Sequence, residues 1–316
     1  MKYHLGVDLG GTNIKAGVTD QQGKILLKYS VKTNKAGDAN VISEQIVGLC
    51  HEVCKKAGIS MDEIASVGIG IPGTVDAETG MVIYANNLHL DDAPVGKIVS
   101  EALGKPVLLN NDASCAAFGE FVSGSGKEYR SIVMVTLGTG VGGGIILNGK
   151  PWDGMEGSGG EIGHMVIDAG GEPCTCGRTG CWEAYSSATA LVRDTRLAIE
   201  QHPESLLRKV MEKTGKISAK TAFDAMRMGD TVAKELVDRY LFYLSEGIAN
   251  IINIFAPEAV ILGGGVCNEG DALLVPLKKL VYQKCYGGNK IRHADIKIAA
   301  LGNDAGIVGA AMLYNA

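Results

Sequence analysis

Three cysteines and a histidine in this chain are spaced as metal ligands are. His164 precedes Cys174-Thr-Cys176-Gly-Arg-Thr-Gly-Cys181 by ten residues, the donor set of a closed Cys3His zinc site. Glycines at 170, 171, 177 and 180 let the backbone fold back on itself as closely spaced ligands require. Buried free thiols need no glycine between them, and the segment is too polar for a core. Four protein donors leave zinc no open position for water, which makes the metal structural and argues against a zinc hydrolase. Beside the ligands stand Glu161 and Glu183. A carboxylate accepting two hydroxyls at once suits the vicinal diol of a sugar, although either glutamate taken alone reads equally as a solvated loop acid. If one ring nitrogen of His164 ligates zinc, the other is fixed as an N–H donor and can reach a substrate hydroxyl.

Three glycine runs point to phosphate. In Asp8-Leu9-Gly10-Gly11-Thr12-Asn13-Ile14-Lys15, the glycines let backbone N–H groups converge on phosphate oxygens. Thr12 adds a donor, Lys15 a countercharge, and Asp8 a carboxylate to orient hydrated Mg²⁺. Gly138-Thr139-Gly140 opens the second run, 138–144, which contains a G-x-G-x-x-G match. Ile145 to Leu147 and a turn follow it instead of a helix, so it is no dinucleotide fingerprint. Gly263-Gly264-Gly265 follows a strand and offers a flat surface to adenine or ribose. A turn-rich hairpin explains any one loop; three loops at strand ends together favour nucleotide binding.

Phosphoryl transfer to an alcohol needs a base on the attacking hydroxyl. Asp112 follows Asn110-Asn111 at a strand end and starts an Ala-rich helix over 113–122. It is either the base or the N-cap of that helix.

The elements that position these groups follow from pattern. Tyr3 to Leu9, Ile14 to Thr19 and Lys24 to Val31 read as strands, a β-loop-β start unlike a Rossmann unit, where the glycine loop opens a helix. Residues 38–57 have helical spacing stopped by Gly58. Strands are expected at 65–71, 79–84 and 106–109, and a short helix near 95–103. The stretch 130–150 repeats the N-terminal plan, and Val7-Asp8-Leu9-Gly10-Gly11-Thr12 parallels Val135-Thr136-Leu137-Gly138-Thr139-Gly140. Two related halves facing a cleft are expected. Helices follow at 187–200, 204–213, 218–228 and 231–255, then a strand at 258–262, a helix at 271–284, a strand at 295–300, and a last helix after Gly302-Asn303-Asp304-Ala305-Gly306, expected to pack on the N-terminal half.

The 316 residues suffice for one large domain or two ordinary ones. A net charge of −5 with no Lys/Arg run argues against nucleic acid or an anionic membrane as partner. No apolar run reaches ~18 residues and no signal-peptide pattern opens the chain, so a cytoplasmic protein is expected. Eight cysteines in such a setting favour metal or free thiols over disulfides. Cys50, Cys54, Cys115, Cys267 and Cys285 read as small buried apolar residues.

The chain resembles the ROK family of repressors, uncharacterised reading frames and sugar kinases over essentially its whole length. The matching pieces are Asp8-x-Gly-Gly-Thr12, Pro72-Gly73-x-Val75-Asp76, Asn111-Asp112, the loop 136–144, Gly160-Glu161-Ile162-Gly163-His164, Cys174-x-Cys176-Gly-x-x-Gly-Cys181-x-Glu183 and Gly263-Gly-Gly265. The cysteine and glutamate signature is specific; the glycine loops alone are not. The resemblance implies a duplicated actin/hexokinase-like (ribonuclease H-like) α/β fold, two domains around a central cleft that binds ATP and sugar. It implies Asp112 as base, Asn111, Glu161, His164 and Glu183 as sugar ligands, and Zn²⁺ on His164 with the three cysteines. Gly73 and one of Asn86 or Asn87 match the position where the small domain touches sugar. Residues 1–112 with 303–316 are expected to form the small domain, and 113–302 the large one. A homodimer, or a tetramer, is implied by the resemblance alone. Family repressors carry an N-terminal helix-turn-helix, and here the first strand is expected from residue 3.

These readings converge on an ATP- and Mg²⁺-dependent hexose kinase acting at the 6-hydroxyl, glucose first among substrates. N-acetylmannosamine, N-acetylglucosamine and fructose kinases of the same family are rivals, polyphosphate is an alternative donor, and a non-catalytic sugar sensor is the rival from another class.

Overall fold

The computed structural model describes residues 2–34 and 38–316. In chain order, strands β1 (Tyr3–Leu9), β2 (Asn13–Thr19) and β3 (Ile25–Lys32) lead to helix α1 (Ala39–Ala57) and strand β4 (Ile64–Ile71). Short strands β5 (Thr74–Asp76), β6 (Met81–Ala85) and β7 (Leu90–Ala93) precede α2 (Val95–Leu103), β8 (Val107–Asn111) and α3 (Asp112–Ser123). Then come β9 (Ile132–Leu137), β10 (Val141–Leu147), β11 (Lys150–Pro151), α4 (Glu183–Ser186), α5 (Ala188–Gln201), α6 (Leu206–Thr214), α7 (Ala219–Arg227) and α8 (Thr231–Phe255). Strand β12 (Ala259–Gly263), α9 (Asp271–Lys284), β13 (Asp295–Ile298) and α10 (Ala305–Met312) complete it.

Two five-stranded sheets run in the orders β3-β2-β1-β4-β8 and β11-β10-β9-β12-β13. The orders correspond strand for strand, and in each the second and third strands are joined by a glycine turn (β1 with β2, β9 with β10). This is the duplication that the repeated Leu-Gly-rich loops foretell. Parallel pairing of β1 with β4 and of β4 with β8 leaves those strands covered on both faces. Their apolar residues, Leu5, Val7, Leu9, Val67, Ile69 and Ile71, are accordingly buried.

The chain divides into two compact units, Met1–Met134 with Gly144–Gly160 and Ala299–Ala316, and Val135–Gly143 with Glu161–Ile298. In the first, the last helix lies directly on the sheet and on α3, as its sequence suggests. A Cβ added at Gly6 would lie 1.9 Å from the Ile307 carbonyl oxygen, one at Gly68 1.7 Å from that of Ala310, and one at Gly309 1.6 Å from that of Cys115. In the second unit Trp182 is fully buried against Gly247 of α8 and donates from Nε1 to the Tyr243 carbonyl at 3.0 Å.

Helix ends follow capping chemistry. Asp38 accepts from the Asn40 N–H to start α1, and Gly58, at φ 68°, ends it. Two local expectations change. Strand β10 begins at Val141, so of the run 138–144 only Gly138–Gly140 is loop. Gly144 serves packing, since a Cβ there would meet the Ala113 carbonyl oxygen at 2.6 Å. Asn111, not Asp112, is the N-cap of α3: its Oδ1 accepts from the N–H groups of Ala113 and Ser114. The five cysteines outside the metal loop are buried, as read.

Candidate functional site

In the first unit, antiparallel pairing puts Asp8 opposite Lys15, so their side chains share a face and Lys15 Nζ donates to Asp8 Oδ2 at 2.9 Å. Between them the loop turns tightly, with Gly10 N–H on the Asn13 carbonyl at 3.0 Å. Thr33 fixes it from β3's end through Oγ1 to the Gly10 carbonyl at 2.6 Å. Gly306 lets α10 approach Asp8, since a Cβ there would lie 3.1 Å from Asp8 Cγ.

The β8–α3 junction carries the candidate base. With Asn111 as cap, Asp112 is the first helical residue, and its Oδ1 accepts the Ala113 N–H at 2.8 Å. A carboxylate is favoured there by the positive end of the helix dipole. Asn111 Nδ2 donates to the Gly73 carbonyl at 2.9 Å. Gly73 has φ 121°, and any side chain there would lie 2.2 Å from the Tyr84 carbonyl oxygen. Only glycine allows that approach. Asn86 and Asn87 are exposed in the turn just after β6.

Asp153, which no motif singled out, belongs to this cluster: its Oδ2 accepts from Asn110 Nδ2 at 3.0 Å. The Cys115 thiol is pushed well above its ordinary value, by burial first, then by the charges of Asp112, Asp8 and Asp153. All three carboxylates thus act electrostatically on this one buried thiol. A lone aspartate before a glycine gives no sequence signal by which Asp153 could have been found.

In the second unit, Glu183 opens α4 and turns one oxygen to the glycine loop. Its Oε2 accepts the Val141 N–H at 2.9 Å, and a Cβ on Gly140 would lie 2.2 Å from that oxygen. The loop is further held by Ala188 N–H on the Gly138 carbonyl at 2.8 Å and by Thr189 Oγ1 on the Thr139 carbonyl at 2.7 Å. Gly264, at φ 91°, packs on the end of β9, where a Cβ would be 2.3 Å from the Leu137 carbonyl oxygen. Its neighbour Gly265 has open space on its Cβ side, while Gly263 ends β12.

The four candidate metal ligands lie together: one donor atom each from His164, Cys174, Cys176 and Cys181 falls within 4.8 Å of the others. Cys174 Sγ is 3.6 Å from His164 Nδ1, and Cys176 Sγ is 3.7 Å from Cys181 Sγ. Tetrahedral zinc with ordinary Zn–S and Zn–N bonds needs edges of about 3.6 and 3.8 Å, and these two edges match that ion. Gly177 and Gly180 have φ 88° and 79°, and Gly180 packs where a Cβ would be 1.9 Å from the Asp168 carbonyl oxygen. With Nδ1 facing the thiols, His164 Nε2 is left toward Glu161, 4.0 Å from its Oε2. Glu161 itself is exposed. Tyr185 braces the loop, donating to Asp168 Oδ2 at 2.9 Å and accepting the Glu172 N–H at 2.7 Å.

Comparison with known proteins adds to this geometry. A model of the ROK family matches residues 4–316. The glucokinase of Halalkalibacterium halodurans is 38% identical over 314 residues, 99% of this chain and 94% of its own. That of Thermotoga maritima is 36% identical over 310 residues, 98% of this chain and 96% of its own. The crystal structure of a ROK family glucokinase from Streptomyces griseus, in complex with glucose and AMPPNP, superposes with a TM-score of 0.82 at 36% identity, covering 98% of each chain.

Proposed function

The chain belongs to the ROK family, and from that premise we propose that it transfers the γ-phosphoryl group of ATP to the 6-hydroxyl of glucose. The observation that carries the proposal is the β8–α3 junction. There a carboxylate, Asp112, stands at a helix N-terminus beside an asparagine tied to Gly73, in a chain 38% identical to a glucokinase along its length. Similarity to a glucose- and AMPPNP-bound glucokinase supports the same substrates.

In this reading Asp112 accepts the proton of the attacking hydroxyl, a contribution of roughly 10²–10⁴-fold for a positioned base. Asn111, Gly73 and one of Asn86 or Asn87 bind the sugar, together with Glu161, Glu183 and His164 Nε2–H. Glu183 has Oε1 to offer, since Oε2 holds the Val141 N–H and Oε1 takes only the Thr175 hydroxyl at 3.4 Å. Gly11, Thr12 and Asn13 present donors to phosphate, as do Thr139 and Gly140, in turns closed by the Gly10 N–H on the Asn13 carbonyl and the Gly138 N–H on the Gly140 carbonyl. Lys15, which shares Asp8, supplies positive charge. Gly265 and its neighbours Gly263 and Gly264 take the nucleoside. Asp8 would hold hydrated Mg²⁺, which supplies neutralisation of the phosphate charge. His164 Nδ1 and the three thiolates would hold zinc, which orders the loop and fixes the imidazole tautomer.

A homodimer rests on the resemblance alone, and light scattering tests it. Among the described residues no helix is long and apolar enough to cross a membrane; a cytoplasmic setting rests on the thiol-rich sequence. For the reaction itself, phosphorus NMR of the product made from glucose and ATP decides. A single phosphate ester at C6 supports the proposal, and a different ester, or polyphosphate as the sole effective donor, refutes it.

A further inference from the structure

Asp153 lies in the turn after β11, just before the 3-10 turn Met155–Gly157. Its segment is pinned at both sides: the Gly159 N–H donates to the Asp153 carbonyl at 2.7 Å, and a Cβ on Gly157 would lie 2.1 Å from the Val75 carbonyl oxygen. From this anchored position Oδ2 accepts Asn110 Nδ2 at 3.0 Å. Asn110 is buried and takes the Asn111 N–H on its own Oδ1 at 2.6 Å. Asn111 then caps α3 and holds Gly73. A chain of hydrogen bonds thus runs from Asp153 to the first turn of α3, where Asp112 stands.

An amide at 153 would accept from Asn110 equally well. The carboxylate is instead costly, because its Oδ1 is buried and meets no donor among the described residues. The charges around Asp112 give a reason to keep it. Asp8 is balanced by Lys15 at 2.9 Å, whereas no cation pairs with Asp153 among the described residues. Of the elements around α3's first turn, β4, β10 and α10 bring no titratable side chain, β8 brings Asn110 and Asn111, and α3 itself brings Cys115.

We propose that Asp153 is a positioning residue for phosphoryl transfer: it fixes the Asn110–Asn111–Asp112 strand end and, as an uncompensated like charge, makes Asp112 a stronger base. The inference rests on Asp112 being the base of a glucose kinase. A neighbouring negative charge disfavours ionisation of a carboxylate and so raises its proton affinity.

The test is the pH dependence of kcat/KM for glucose in the full chain and in Asp153→Asn and Asp153→Ala, with thermal unfolding beside it. Asp153→Asn keeps an oxygen for Asn110 and removes the charge. Its acid limb should move to lower pH by about half a unit or more, with KM for glucose within about twofold of wild type. Asp153→Ala loses the tether too, and kcat should fall about tenfold or more as the base drifts from its geometry. An Asp153→Asn profile that superposes on wild type overturns the proposal. So does an Asp153→Ala protein with wild-type kcat. If the alanine variant does not fold, the isosteric asparagine decides. A wild-type protein inactive on glucose refutes instead the kinase reading on which the inference stands.

Discussion

His164 turns its two ring nitrogens to different groups, with Nδ1 3.6 Å from Cys174 Sγ and Nε2 4.0 Å from Glu161 Oε2, and the proposed function gives each a task. Its replacement therefore has two linked consequences. His164→Ala should lose bound zinc, measured by elemental analysis of the purified protein, and weaken glucose binding by about tenfold or more, measured by calorimetry. Retained glucose affinity with the metal gone would separate the two roles. At this scale the histidine and cysteine cluster was legible in the sequence, because metal ligation demands particular atoms at short spacing, and the four donors do lie together. What could not be read was which scaffold atoms each side chain would hold. Glu183 gives one oxygen to the Val141 N–H, and Asn111 takes the capping role expected of Asp112. Such pairings depend on where a distant backbone atom falls.

Among elements, α8 and α10 show two ways of fixing a helix. Asp230 caps α8 through the Ala233 N–H at 2.7 Å and also takes the Leu206 N–H at 2.7 Å and the Ser205 hydroxyl at 3.0 Å, joining the start of α6 to it. Partial burial pushes this carboxyl up, but the N–H donors and the hydroxyl outweigh it and hold it below its ordinary value. Because the folded-state value is the lower one, the stabilisation is complete above the unfolded value, about 3.9, and is lost as pH falls through the folded one. Asp230→Ala should cost about 1–2 kcal/mol in urea unfolding at neutral pH, and the gap from wild type should close in acid. Helix α10 is held by contact instead. Gly309→Ala, whose methyl would sit 1.6 Å from the Cys115 carbonyl oxygen, should lower the urea midpoint at unchanged slope, by about 1–3 kcal/mol or more.

These helices also show what element-level pattern can and cannot tell. The spacing over 231–255 and its stop before Pro257 are local, and the helix appears with those bounds. Strands β5 and β7, three and four residues long, carry too little pattern to stand apart from loops. The glycines of β10 look like loop residues because the reason for one of them, the packing of Gly144 on Ala113, lies some thirty residues away.

For the molecule as a whole, the duplicated sheet order is the feature that organises function. The two hairpins, β1–β2 and β9–β10, each end in a glycine turn beside an acid: Asp8 in one, Glu183 in the other. The repeat of Leu-Gly-rich loops makes this duplication legible in the sequence. The route by which Asp153 comes to Asn110 was illegible, since it depends on a turn with no recurring motif. Whether a glucose kinase works through Asp112 is decided by one paired measurement. ADP release with ATP is followed across a panel of hexoses and N-acetylhexosamines for wild type and for Asp112→Asn, with glucose binding measured in parallel. Wild type should show its highest kcat/KM on glucose, and Asp112→Asn a kcat lower by roughly 10²–10⁴-fold with glucose affinity largely kept. Near-normal turnover in Asp112→Asn, or no ADP release by wild type with glucose, would contradict this mechanism.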